Sequence, residues 1–151
     1  MNQLTFISFE PSKQGIRASL SMQGIINIDG DIESAINQAI EIYKAALSEM
    51  KNLLLKREEL QKVRRRVPAR LIWQIGDAIF NLNDDLSKID LQIDNTYHHL
   101  VRDLGVKRKW LEKVVIFRRY IEQIEIIPET ATWGSFEKGT RKKVQLLMQG
   151  K

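Results

Sequence analysis

The chain has 151 residues and 17.6 kDa, with 43% apolar and 28% charged side chains, which is one domain's worth of material and enough for a core without covalent staples. The absence of cysteine excludes disulfide frameworks, thiol nucleophiles and cysteine-ligated zinc, and suits a reducing cytoplasm. No stretch approaches the roughly 18 apolar residues of a membrane span, and residues 1–10 lack the basic start and apolar run of a secretory signal, so the expectation is a soluble, cytoplasmic protein with no membrane partner.

The chain opens with period-two alternation. Leu4, Phe6 and Ser8 are expected to share one strand face, and Ile16, Ala18, Leu20 and Met22 another, with residues 10–15 as the turn. Gly24 and Gly30 punctuate the exit of this β-hairpin. A lone hairpin is marginal in water, so it must pack on a helix or pair with another chain.

Asp29 or Asp31 offers an N-cap for a long helix. Ile32, Ile36, Ala39, Tyr43, Ala46, Met50, Leu53, Arg57 and Leu60 follow at alternating spacings of four and three, a heptad seam. Nothing breaks the helix before Pro68, so it is expected over 31–67 and needs a partner: a second copy, giving a homodimer, or later helices folded back. A second helix is expected from Pro68 to about Leu86, with Leu71, Ile72, Ile75, Ile79 and Leu82 inward. Asp94 or Asn95 caps a third, ending at Leu104. Gly105 turns the chain into a fourth over 107–121, and Thr132 or Ser135 caps a last short helix ending near Met148. The fold class expected is mainly α: a β-hairpin over 1–30, one long helix over 31–67 for dimerisation, and a helical bundle over 68–151.

Residues 97–116 fit the packing demands of a helix-turn-helix. With Tyr97 first, the apolar sites fall on Leu100, Leu104, Val106, Leu111 and Val114; Val101 takes the fifth position and Gly105 the ninth, where left-handed backbone is required. The second helix would present Lys107, Arg108, Lys109 and Lys113 to base edges in a major groove. Arg102, Arg118 and Arg119 suit phosphate contacts, and Trp110 suits the core.

Charge falls in blocks. Residues 56–70 and 102–119 each carry seven basic against two acidic side chains, while residues 71–101 carry one against five. Such alternation suits phosphate backbones. Three cations at a helix start are otherwise unfavourable, because the helix dipole prefers acidic groups there. Arg64, Arg65 and Arg66 form a second candidate phosphate clamp. Lys138, Arg141, Lys142 and Lys143 lie among acidic residues and argue less.

His98 and His99 are adjacent, so they point to different helix faces and cannot share a metal as an i, i+4 pair would; they read as surface or capping residues. Asp77, Asp84, Asp85 and Asp90 lack calcium-loop spacing. No phosphate-binding glycine loop, nucleophile elbow or nuclease signature stands out, so neither catalytic residue, cofactor, metal nor small-molecule substrate is expected.

Residues 71–79, 97–105 and 110–120 resemble the helical N-terminal domain of YhcG-type bacterial nucleases, with a Trp/Ile-Gly start at Trp73 and Gly76, a Leu-Gly step at Leu104 and Gly105, and a helix ending in Phe117 and Tyr120. These 151 residues depart from that family in lacking its nuclease domain and in adding the hairpin and long helix. The resemblance implies a helical nucleic-acid-binding role without cleavage. The expectation is a dimeric, non-catalytic protein, regulatory or architectural, that binds double-stranded DNA. The alternative is a coiled-coil adaptor or a subunit of a larger complex. An RNA module would want more than 7% aromatic residues for stacking.

Overall fold

A computed structural model describes residues 5–13, 15–21 and 31–149. Leu4, Met22, Gly24, Asp29 and Gly30, which figure in the expected hairpin and cap, lie outside them. Helix dominates, joined by a small three-stranded sheet. The chain divides into two compact units, one of Met1–Ser48 with Phe80–Gly105 and one of Glu49–Ile79 with Val106–Lys151.

In the first unit, strands β1 (Thr5–Ser12) and β2 (Gly15–Leu20) form the antiparallel hairpin. Its turn is tighter than expected, because Pro11 and Ser12 still pair with Ile16 and Gly15. The core face of β1 is the one opposite Phe6: Thr5, Ile7 and Phe9 are buried, while Phe6 is 45% exposed. Both parities carry large apolar side chains here, so alternation alone cannot choose between them. Ile16, Ala18 and Leu20 of β2 are half-buried on one face, as expected.

A third strand, β3 (Leu91–Ile93), pairs in parallel with β1 and was not foreseen. Its three residues are too few to show a period. Left-handed backbone at Asp90 (φ 61°) and Asn95 (φ 60°) brackets it, a conformation short polar side chains tolerate best.

Helix α1 (Ile32–Lys62) starts where Asp31 Oδ1 accepts from the Glu33 N–H at 3.0 Å. Ala35, Ala39, Tyr43 and Leu47 form its buried stripe in this unit. The Tyr43 ring stacks on Phe9 with centroids 4.1 Å apart, and this contact fastens the helix to the sheet. Helix α3 (Thr96–Leu104) buries His99 and Leu100, and His99 meets Phe9 edge-on at 6.3 Å. His98 is exposed as expected, whereas His99 is a core residue, with Nδ1 2.9 Å from the Asn95 carbonyl.

The second unit begins inside α1, where Met50, Leu53 and Leu54 continue the buried stripe. Well before Pro68 the helix ends on a left-handed Arg64 (φ 58°), whose N–H donates to the Gln61 carbonyl at 3.1 Å while the Arg65 N–H donates to Leu60 at 2.8 Å. This pair of bonds is a Schellman closure, usually built on glycine, so no sequence signal marked the stop. Helix α2 (Ala69–Ser87) runs from this unit into the first, with Leu71, Ile72, Ile75, Ile79 and Leu82 buried as expected.

Helix α4 (Arg108–Tyr120) buries Trp110, Leu111, Val114, Val115 and Phe117. A 3₁₀ turn over Ile124–Ile126 follows. The single expected last helix is two: α5 (Gly134–Glu137) and α6 (Thr140–Gln149), parted at a left-handed Gly139 (φ 66°). Phe117 packs against Trp133 and Phe136 with centroids 5.3 and 5.0 Å away. Residues 67–69 lie along 131–133, with the Trp133 N–H donating to Val67 at 2.8 Å and the Ala69 N–H to Ala131 at 2.9 Å.

Candidate nucleic-acid interface

Basic charge segregates by unit. The second carries nineteen basic against nine acidic side chains, net +10, and the first carries five against ten, net −5. A field of one sign over a single unit is what attracts a polyanion.

The helix-turn-helix positions divide between the units. Gly105 does take left-handed backbone (φ 67°, ψ 35°), its N–H donating to Val101 at 3.0 Å. Leu100 is buried in the first unit; Leu111 and Val114 are buried in the second, whose boundary falls directly after Gly105. Leu104, Val101 and Val106 are half-buried.

The candidate contacts separate into two kinds. Lys107, Lys109 and Arg119 are exposed, and none enters an ion pair among the described residues. Lys113 is half-buried. Arg108 is 60% exposed and pairs with Glu112 at 3.0 Å one turn on, a surface contact that costs little to exchange. Lys107 caps α4 without a side-chain bond, and no acidic residue stands in the first turn to answer the helix dipole. Arg64, Arg65 and Arg66 are exposed beyond the end of α1. Part of that run has a local explanation, since cations at a helix C-terminus are favoured by the same dipole.

Two arginines are engaged in structural bonds. Arg118 is 17% exposed: Nε donates to Asp77 Oδ1 at 2.9 Å, Nη1 reaches the Ile121 carbonyl at 3.4 Å, and the guanidinium lies 4.9 Å from the Trp73 ring centroid. Arg102 donates to both Asp103 carboxylate oxygens and, through Nη2, to the Phe9 carbonyl at 2.8 Å, tying β1 to α3. Asp103 also accepts from the buried Tyr43 hydroxyl. Burial, then that bond, pushes the Tyr43 phenol far above its ordinary range. Burial acts to raise the Asp103 carboxyl too, but the hydrogen bonds from Arg102 and Tyr43 outweigh it and hold the group below its ordinary value. Sequence patterning could not single out these two arginines, because the bonds that occupy them reach the Phe9 carbonyl and Asp77, ninety-three and forty-one residues away.

A further group went unnoticed in the sequence. Arg57, Arg66, Trp110, Trp133 and Glu137 line a cavity of about 390 Å³ within the second unit. Arg57 occupies a seam position of the heptad, and its place there was the available signal; its guanidinium lies 4.4 Å over the Trp110 ring. Among the described residues no group of three or more His, Asp or Glu side chains is gathered as a metal would need, and no helix is long and apolar enough to cross a membrane. Comparison with protein-family models, with curated proteins and with solved structures finds no match.

Proposed function

We propose that the protein binds double-stranded DNA without cleaving it, through its second unit, as a regulatory or architectural factor. The observation that carries this reading is the net charge of +10 on that unit against −5 on the first. Helix α4 acts as the reading helix, with Lys107, Arg108 and Lys109 at the end that enters a major groove. Three cations at an uncapped N-terminus repel the helix dipole, and a phosphate or base acceptor relieves that repulsion. Gly105's left-handed turn and the apolar pattern of 97–116 support the helix-turn-helix form of the reading, as does the resemblance to the YhcG-type N-terminal domain. Arg64, Arg65, Arg66 and Arg119 supply phosphate contacts, while Arg102 and Arg118 serve the fold. Ala39, Tyr43, Met50 and Leu53 of the heptad seam are buried within the chain, which supports the fold-back alternative over a homodimer through α1.

One observation favours the adaptor reading instead. The α3 and α4 segments belong to different units, so the glycine turn can serve as a connection between them. Fluorescence anisotropy with a labelled random-sequence duplex separates the two. The DNA reading predicts saturable binding at low salt, weakened when Lys107 and Lys109 become alanine; an unchanged signal at the highest protein concentration leaves the adaptor.

A further inference from the structure

Strand β2 lies at one side of the sheet, whose order is β2–β1–β3, so one of its edges meets no other strand. The phase of the β1–β2 ladder decides which groups lie on that edge. The Ser21 N–H donates to the Phe6 carbonyl at 2.9 Å, and bonded positions alternate in an antiparallel pair, so Ser19, Arg17 and Gly15 also turn their backbone groups to β1. Pro11, which has no N–H to give, stands opposite Ile16, as that phase allows. The N–H and C=O groups of Ile16, Ala18 and Leu20 therefore point away from the sheet, and none of them is hydrogen-bonded among the described residues.

Unpaired edges are ordinarily guarded by lysine, proline, a bulge or brevity. Strand β2 has six residues in unbroken register and contains neither lysine nor proline. Its one charge, Arg17, is drawn to Glu10 of β1 at 2.9 Å and so is matched within the chain. Ile16, Ala18 and Leu20 are half-buried and leave a partly exposed apolar row along the edge.

The edge is also self-complementary. Turned antiparallel about Ala18, a second β2 sets Ile16 against Leu20, Ala18 against Ala18 and Leu20 against Ile16, and each pair exchanges both backbone bonds. The apolar side chains then meet on the face that carries Ile7 and Phe9. On the other face Arg17 falls opposite Ser19, so no like charges stand directly opposed. A register shifted by two residues leaves Ile16 or Leu20 without a counterpart in the strand. We propose that β2 pairs with β2 of a second copy across a two-fold axis. The contact is distinct from the expected dimer through α1. It consumes both β2 edges at once, and β3 at the other edge has only three residues, so assembly stops at the dimer. It needs no nucleic acid and does not depend on the duplex reading.

Sedimentation equilibrium of the full chain, without DNA, tests the pairing. A dimer of the 17.6 kDa chain is expected to form at concentrations up to about 100 µM. Amide exchange at Ile16, Ala18 and Leu20 should slow as the dimer fills, since those N–H groups become bonded only there. Ala18→Pro deletes the central N–H, which the single chain leaves unbonded, and should weaken the dimer about tenfold or more with an unchanged melt at low concentration. Should proline disturb the hairpin, Ser19 decides. Ser19→Glu, opposite Arg17 of the second copy, should tighten the dimer about threefold or more, and Ser19→Lys should loosen it by as much. A monomer throughout this range, or a dimer that leaves the three amides unprotected and ignores the charge at position 19, overturns the proposal. Assembly that continues past the dimer belongs to another surface and overturns it too.

Discussion

Gly76 on α2 and Arg118 on α4 approach so closely that a β-carbon on Gly76 would lie 2.6 Å from Arg118 Cβ and 3.0 Å from the Val114 carbonyl oxygen. The glycine is what lets the two helices cross at this depth. Gly76→Ala gains about 1 kcal/mol of helix propensity, and the overpacking it forces costs about 1–3 kcal/mol. Chemical denaturation should show a net loss of stability. A stabilised variant would contradict the crossing.

The same crossing sets what Arg118 does. Arg118→Ala removes a hydrogen bond to Asp77, a contact to Ile121 and the guanidinium beside Trp73. A loss of about 1.5–3 kcal/mol is expected, as for a hydrogen bond to a charged group. Arg119→Ala, on the exposed side, should change stability by no more than about 0.5 kcal/mol. Urea melts of the two variants side by side distinguish a fold-holding arginine from a surface one.

Arg64 gives a prediction of opposite sign. Its left-handed backbone carries a cost of about 1 kcal/mol that glycine does not incur. Arg64→Gly should therefore raise the melting temperature while weakening duplex binding through the loss of one phosphate contact. Stability and affinity moving together would contradict the assignment.

Acid should loosen the first unit through Asp103. Its carboxyl is held below the ordinary value in the fold, so the stability it contributes is present above the unfolded value of about 4 and fades as pH falls through the folded one. Denaturation of the parent and of Asp103→Asn should differ clearly at neutral pH and converge as pH falls below the ordinary carboxylate value of about 4. At the other extreme, the raised Tyr43 phenol means that stability falls as pH climbs past the ordinary tyrosine value of about 10, where the unfolded chain ionises first.

The helices were legible because their signals are local. Asp31, Pro68 and Gly105 marked starts and turns within a residue or two, and the inward faces of α2 and α4 followed from spacing. The stop of α1 at Lys62 was not legible, since its closure uses an arginine where glycine is usual. Strand β3 and the buried face of β1 were missed because both depend on pairing across some eighty residues, from Thr5 to Leu91. Of the candidate site, the exposed set at 107–109 and 64–66 could be read as charge runs. The structural roles of Arg102 and Arg118, and the cavity around Trp110 and Trp133, depend on tertiary partners that no spacing announces.

The salt dependence of duplex affinity tests the central claim most directly. Each phosphate neutralised contributes about −0.9 to the slope of log K against log salt. The account predicts a steep negative slope for the parent, made shallower by about one for each of Lys107→Ala, Lys109→Ala and Arg65→Ala, with folding intact. A slope near zero, or variants indistinguishable from the parent, would contradict DNA binding by the second unit.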